Sequence, residues 1–416
     1  MKTGNSAIAS TVRPVDAAAV LRLLPADRPR LLALGEPTHG EDALLDLRNT
    51  LFRQLVEEAG YRTIALESDC LRGLAVDDHV SGVVTGRDAL DDVMRDGFSH
   101  GFGASAANRE LVCWIREFND GRPAADQVRF AGFDGPLEIT GAESPRRALT
   151  ALHTFLAEHA EHGDQSGADL LPCTARTLDE LLGADDRWTE PAAMRDPARS
   201  VGRSPDAFRL RLLADDLLAL LDAQAPHLIA ASSREAWDRA RLYGRTAVGL
   251  LRYHDGMADP SPSRMTRLLA VRDVMMADTL LALAERGPTL AFAHNSHLQR
   301  PRSTLRMDGH PPLNWWSAGA LAAARLGERY AFVATALGTI RHRGVDTPPP
   351  DTLEGLLYAL PHERCAVDPS ALAARLGDPA PAPRVSPWFG YAPFDPAQLG
   401  DCDARLFLKD LPPLPR

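Results

Sequence analysis

Five short apolar runs punctuate the chain: Leu31–Gly35, Thr63–Glu67, Val128–Phe133, Thr289–Ala293 and Tyr330–Ala334. Each is too short for a helix, apolar on both faces, and followed by polar or glycine-containing residues. That is the pattern of strands buried in a largely parallel sheet with both faces covered. Between them the apolar period changes. Ala43–Glu58 places Leu44, Leu47, Leu51 and Leu55 at helical spacing, and Arg109–Asn119 does so with Leu111, Ile115 and Phe118. Strand alternating with helix predicts an α/β fold, a mostly parallel central sheet flanked by helices.

From 144 to 286 the strand signal fades. Leucine and alanine recur every three or four residues in Phe208–Ala225, Arg234–Tyr253 and Arg264–Leu283, which predicts a large helical insertion or lid. Within it, Gly163–Gly167 and Asp185–Pro205 are polar and rich in Gly and Pro, and read as loops. Pro348-Pro349-Pro350 opens a C-terminal segment. The expected organisation is an α/β core over 1–143, a mainly helical insertion over 144–286, and the core resumed over 287–416. There is no internal repeat and no long low-complexity tract.

Composition narrows the partners. The 416 residues are 45% hydrophobic and 25% charged, the balance of a globular chain and not of a disordered one. A net charge of −10, with no basic stripe carrying interleaved aromatics, argues against nucleic acid and for a small-molecule substrate. Cys70, Cys113, Cys173, Cys365 and Cys402 are odd in number, widely spaced and without a Cys-x-x-Cys, as expected of reduced thiols. The start, Met1-Lys2-Thr3-Gly4-Asn5, has no apolar signal core, and Arg, Asp and Glu interrupt every leucine-rich stretch. A soluble cytoplasmic protein with no membrane partner is the expectation.

In open parallel sheets, ligands bind outside the carboxyl ends of the strands. The first expected strand runs into Glu36, with His39 three residues on. The second ends at Glu67, the third at Asp134, and the fourth in Ala293-His294-Asn295-Ser296-His297. Two glutamates, an aspartate and three histidines are thus brought to one edge of a chain that holds only 13 histidines. Each alone has a plainer reading. Glu36 can serve the dipole of the next helix and Glu67 can cap one; His39 can be an ordinary loop histidine, Asp134 a turn residue before Gly135-Pro136, and His294 with His297 half of a metal site. Their convergence favours catalysis. No Gly-x-Ser-x-Gly elbow, phosphate loop or His-Glu-x-x-His is present. Gly101-Phe102-Gly103-Ala104-Ser105-Ala106 mimics a dinucleotide fingerprint but has no strand before it.

At these positions the sequence resembles the erythromycin esterase family. The matching segments are Gly35-Glu36-Pro37-Thr38-His39-Gly40 with Arg48 beyond it, Ala65-Leu66-Glu67-Ser68-Asp69, Trp114–Asn119, Phe130–Asp134, Arg272–Asp278, Ala293–His297 and Gly319–Tyr330. The resemblance implies an α/β core with helical insertions and a deep polar cleft. It implies hydrolysis of a macrolide lactone by a histidine-activated water, with no obligatory metal or other cofactor. The base would be His39, and Glu36, Glu67, Arg48, His294 and His297 match the other active-site positions. Glu36 or Glu67 would hold the imidazole, and Arg48 with His294 or His297 would face an oxyanion. Asp134, Asn295 and Trp315 are expected to contact substrate, and Arg272 with Asp273 to form a buried ion pair.

Two departures bear on which substrate fits. Asp278 stands where the family usually carries Asn, and Phe98–Ala107 is rich in small residues. The same histidine base also suits a biosynthetic tailoring enzyme that performs elimination, cyclisation or epimerisation. In a third reading, Glu36, His39, Glu67 and His294 ligate a metal, or the fold binds haem.

Overall fold

The computed structural model describes residues 8–24, 28–84, 89–138, 141–159, 170–306, 311–376, 380–386, 388 and 390–413. Eight strands form one sheet: β1 (Val12–Arg13), β2 (Leu31–Glu36), β3 (Thr63–Asp69), β4 (Arg129–Asp134), β5 (Thr289–His294), β6 (Tyr330–Thr339), β7 (Arg364–Val367) and β8 (Ala404–Asp410). Their spatial order is β1-β7-β8-β6-β2-β5-β3-β4. The pairs β8–β6, β6–β2, β2–β5 and β5–β3 are parallel, while β7 runs antiparallel to both β8 and β1. The sheet is therefore parallel at its centre and mixed at one edge.

Register decides what the central strands present. Glu36 lies opposite His294 across β2 and β5, and Leu66 lies opposite Phe292 across β3 and β5, so Glu67 follows one step on. Three adjacent parallel strands thus end in a carboxylate, a histidine and a carboxylate. The strands are buried along nearly their whole length, which is why they read as continuous apolar runs with no alternation.

The helices follow the periodicity. Helix α1 (Asp42–Ala59) buries Leu44, Leu47, Leu51 and Leu55 and ends at Gly60, whose φ of 72° is the left-handed conformation that favours glycine. Helix α2 (Ala106–Asn119) is capped by the Ser105 side chain and buries Leu111 and Ile115 in the same core as Phe52, Ile64 and Phe292. Helices α3 (Arg146–His159), α4 (Pro205–Ala223), α5 (Arg234–Met257) and α6 (Arg264–Arg286) follow. Leu149, Leu152, Leu210, Leu217, Ala247 and Leu251 from the first three share a second core.

The chain divides into two compact units, one of residues 1–67, 73–132 and 280–416, the other of 68–72 and 133–279. Among the described residues no helix is long and apolar enough to cross a membrane.

Two stretches differ from expectation. The 185–205 loop is a series of 3₁₀ turns, in which Glu190, Asp196 and Ser200 cap successive turns by accepting from Ala192, Ala198 and Gly202 N–H. Polar, proline-rich composition marked the capping residues but not the short turns they start. The C-terminal segment supplies β7 and β8, which the pattern did not reveal. Arg405 interrupts the apolar run of β8, yet it is buried, with its guanidinium over the Phe394 ring. The expected Gly163–Gly167 loop lies outside the described residues.

Candidate active site

The carboxyl ends of β2, β5 and β3 gather Glu36, His39, Glu67, His294 and His297 in one place, all within the sheet-bearing unit. Glu36 is the last residue of β2, and the chain then turns through Pro37 and Thr38 to bring His39 back over it. His39 Nδ1 lies 2.7 Å from Glu36 Oε1. The ionised carboxylate can only accept, so Nδ1–H donates, and whenever the imidazole is neutral its lone pair lies on Nε2. His39 Nε2 faces Glu67 Oε2 at 3.8 Å. The His39 side chain is 39% exposed and both glutamates are 5% exposed, so the imidazole has access to solvent and the carboxylates do not.

Glu67 is held from behind. The His294 backbone N–H donates to its Oε2 at 2.8 Å, and His297 Nε2 lies 3.4 Å from its Oε1. Glu36 is less well satisfied: its Oε2 is buried without a hydrogen-bond partner. Burial pushes the Glu36 carboxyl above its usual range. The hydrogen bond and charge of His39 oppose that, the charge of Glu67 adds to it, and that of Arg48 opposes it. A buried carboxylate with one orphaned oxygen costs stability, and such groups are more frequent at functional sites than elsewhere.

His294 caps the short helix α7 (Asn295–Leu298), its Nδ1 accepting from Ser296 N–H at 3.2 Å. That assignment leaves the proton on Nε2, which points at Pro37 O, 3.3 Å away. Burial, with the charge of His39 beside it, pushes His294 down to about 3. It is neutral at ordinary pH, a donor through Nε2–H and not a cation. Because an unfolded histidine titrates near 6.5, the unfolded chain binds a proton at mildly acid pH that folded His294 refuses. Stability is therefore lost as the pH falls from about 6.5 towards 3. His294→Gln is expected to flatten this part of the acid limb in urea midpoints measured from pH 7 to 4; an unchanged slope would contradict the assignment.

Other expected residues sit elsewhere. Arg48 lies beneath the site, 1% exposed. Its Nε and Nη2 donate to Asn49 Oδ1, Nη2 donates also to Asn108 Oδ1, and its guanidinium lies 5.0 Å from the Phe292 ring centroid. Burial lowers it to about 10, which still leaves it charged at neutral pH, and that charge favours ionised Glu36. The Asn295 amide is engaged with the sheet: Nδ2 donates to Thr335 O at 2.9 Å, and Oδ1 accepts from Thr335 N–H at 3.4 Å. Trp315 is buried in the hairpin of Arg302–Leu305 and Leu313–Trp316, where its neighbour Trp316 is the exposed indole. Asp134 is fully buried in the other unit, where Arg272 Nε and Nη2 grip it in a fork at 3.0 and 2.6 Å. Arg272 was expected in a buried ion pair with Asp273; the structure places the Asp134 carboxylate in its fork, the two-point geometry that suits a carboxylate.

Phe102 is a wall residue from the Phe98–Ala107 stretch expected to bear on substrate fit, though the sequence did not single it out. Its ring lies 5.5 Å from that of His39, and the His294 ring lies 5.4 Å away. Its place within the false dinucleotide motif hid it. Among the described residues, no group of three His, Cys, Asp or Glu side chains is arranged to hold a metal ion.

Gly35 explains why a glycine ends the apolar run of β2. A Cβ there would stand 2.2 Å from Asn295 Oδ1 and 3.1 Å from the Asn295 Cα. Gly35→Ala is expected to cost about 1–3 kcal/mol of stability by overpacking. A thermal unfolding midpoint equal to that of the parent protein would refute this.

The sequence profile described as erythromycin esterase matches residues 56–395. The matched span contains Glu67, His294 and His297 and begins after Glu36, His39 and Arg48. An erythromycin esterase type II of Escherichia coli is 31% identical over 297 residues, covering 65% of this chain. The chain spans 61% of the length of that curated relative. Among solved structures, a Bacillus cereus protein superposes with a TM-score of 0.70 at 15% identity, over 99% of this chain and 97% of its own. A succinoglycan biosynthesis protein gives 0.67 at 15% identity, over 98% and 97% of the two chains. An erythromycin esterase with a histidine-to-asparagine substitution, in its open conformation, gives 0.60 at 18%, over 91% and 90%. At these identities the structural likenesses show the fold.

Proposed function

Because the chain belongs to the erythromycin esterase family, we propose that it is an esterase-like hydrolase in which His39 activates water against the ester or lactone carbonyl of a bulky natural product. The observation that carries this reading is the spacing of His39 between two carboxylates. Glu36 Oε1 accepts the Nδ1–H hydrogen bond, which puts the lone pair of the neutral imidazole on Nε2, and Glu67 Oε2 stands 3.8 Å from that nitrogen. A water between them can donate one O–H to each.

In this mechanism the water gives one O–H to His39 Nε2 and the other to Glu67 Oε2. His39 removes the first proton as the oxygen bonds to the carbonyl carbon. Glu36 stabilises the resulting imidazolium, as the third group of a catalytic triad does. When the tetrahedral intermediate collapses, the bond from carbonyl carbon to ester oxygen breaks. His39 returns its proton to the leaving alkoxide, giving an alcohol and an acid. Neutral His294, with its N–H on Nε2, does not add a second positive charge beside the imidazolium. Buried Arg48 steadies Glu36 in its charged form from below.

Incubating the protein with erythromycin and a panel of other macrolides and lactones, followed by mass spectrometry, tests this. The expected product is heavier than its substrate by one water. A product of unchanged mass, or lighter by one water, would replace hydrolysis by isomerisation or elimination.

A further inference from the structure

The Phe102 ring stands beside the proposed base and has no part in the hydrolysis as written. It is only partly buried, packing on the core that holds Leu111 and Phe292, and its centroid lies 5.5 Å from that of His39. A second imidazole, that of His100, meets the same ring edge-on at 5.6 Å. Phe102 thus has two histidine neighbours, and proton transfer uses only one of them.

The loop that carries the ring is strained. His100 has a φ of 56°, and among the described residues it is the one non-glycine in the left-handed region. Glycine takes that conformation freely, as Gly101 does beside it at 73°. A loop that only covered the core would gain from glycine at both positions, whereas a histidine keeps the contact with Phe102. Strained conformations persist where the surroundings over-determine them, and they cluster at active sites and ligand clamps. The surroundings do so here. A Cβ on Gly103 would overlap Met94 O, so the backbone passes as close as only glycine permits. Phe102 N–H donates to Ser99 O at 3.0 Å, and Asn108 Nδ2 donates to Phe102 O at 2.9 Å. The other end of the Asn108 amide accepts from Arg48 Nη2 at 2.9 Å. Ser105 Oγ ties the end of the loop to Asp42 Oδ1 on α1 at 2.6 Å. One amide therefore holds both the wall beside His39 and the guanidinium beneath the site.

We propose that Phe102 determines specificity: its ring takes an apolar, ring-bearing or branched group next to the scissile carbonyl, and His100 and Asn108 are the residues that position it. The proposal rests on the hydrolase reading. A water between His39 Nε2 and Glu67 Oε2 attacks a carbonyl carbon standing about 3–3.5 Å from it. A substituent of that carbonyl is then brought beside the ring that stands 5.5 Å from the imidazole. An aromatic face is a large apolar surface, and ring-bearing groups gain on it beyond the area they bury.

Three esters test it on the full chain: ethyl acetate has no ring, ethyl phenylacetate carries one on the acyl side, and benzyl acetate carries one on the alcohol side. The measure is kcat/KM for the better ring-bearing ester divided by kcat/KM for ethyl acetate. Phe102→Ala is expected to lower this ratio about tenfold, chiefly through KM. A merely structural role, in which truncation loosens His39, would lower all three esters alike and leave the ratio unmoved. His100→Gly relieves the strained φ and is expected to lower the same ratio while holding the thermal midpoint at or above the parent value, so the test stays open if Phe102→Ala does not fold. Should the parent protein turn over none of the esters, that failure belongs to the hydrolase reading, and the wall is tested by binding. Affinities for N-ethylacetamide, N-ethylphenylacetamide and N-benzylacetamide, titrated by NMR, are then expected to show a preference for a ring that Phe102→Ala lowers about tenfold. No preference for ring-bearing probes in the parent protein, a preference that neither folded variant lowers, or a His100→Gly midpoint below the parent value would each overturn the proposal.

Discussion

His39→Ala is expected to lower kcat for ester hydrolysis by about 10³–10⁴-fold, the scale of a lost general base. The KM should change little, because truncating the imidazole removes a proton acceptor used in the transition state and not a large binding surface. The fold should survive. The His39 side chain is 39% exposed and its ring lies tilted against those of Phe102 and His294, so truncation removes little buried area. A thermal midpoint close to the parent value, combined with near-complete loss of turnover, is the expected pair of results. Retained turnover in a folded His39→Ala protein would remove the base from the mechanism.

Glu36→Gln should lower kcat by about 10²–10⁴-fold, since an amide can present its N–H to His39 Nδ1 and favour the wrong tautomer. Its effect on stability should run the other way at higher pH. The folded carboxyl of Glu36 is held above its unfolded value by burial, so the folded chain holds this proton more tightly. Stability is then lost as the pH rises from the unfolded carboxylate range through the raised folded value. Glutamine has no such loss. The difference in unfolding free energy, variant minus parent, is expected to move in favour of the variant from pH 4 to pH 8. This trade of stability for activity is common where a buried charge serves chemistry. A difference independent of pH would show that Glu36 is not strained by burial, and unaltered kcat would show that it does not orient His39.

The fold was legible where burial is symmetrical. The five strands β2 to β6 read as apolar runs, and α1 and α2 bury one stripe each, so period alone located them. The C-terminal edge was hidden because Arg405 breaks the apolar run of β8, and only tertiary packing against Phe394 makes that position buried. The site was legible to a similar degree and for a similar reason. Glu36 and His294 end adjacent parallel strands and Glu67 lies two residues before the end of the next, and sheet register alone brings them together. Arg48 was placed on the correct helix, but its depth depends on Asn49 and Asn108, and the second of these lies 60 residues away on α2. Asn295 looked available because nothing local shows that the Thr335 backbone holds both ends of its amide. Phe102 comes from a loop whose glycines suggested a different motif. Long-range partners of polar side chains are what period and spacing do not encode.

If His39 directs a solvent water onto an ester carbonyl, the new acid must carry a solvent oxygen. Turnover of a macrolide lactone in ¹⁸O-enriched water, with the ring-opened product examined by mass spectrometry, tests it most directly. One solvent oxygen is expected in the product, located in the new carboxylate. A product formed by this protein that carries no solvent oxygen would contradict it.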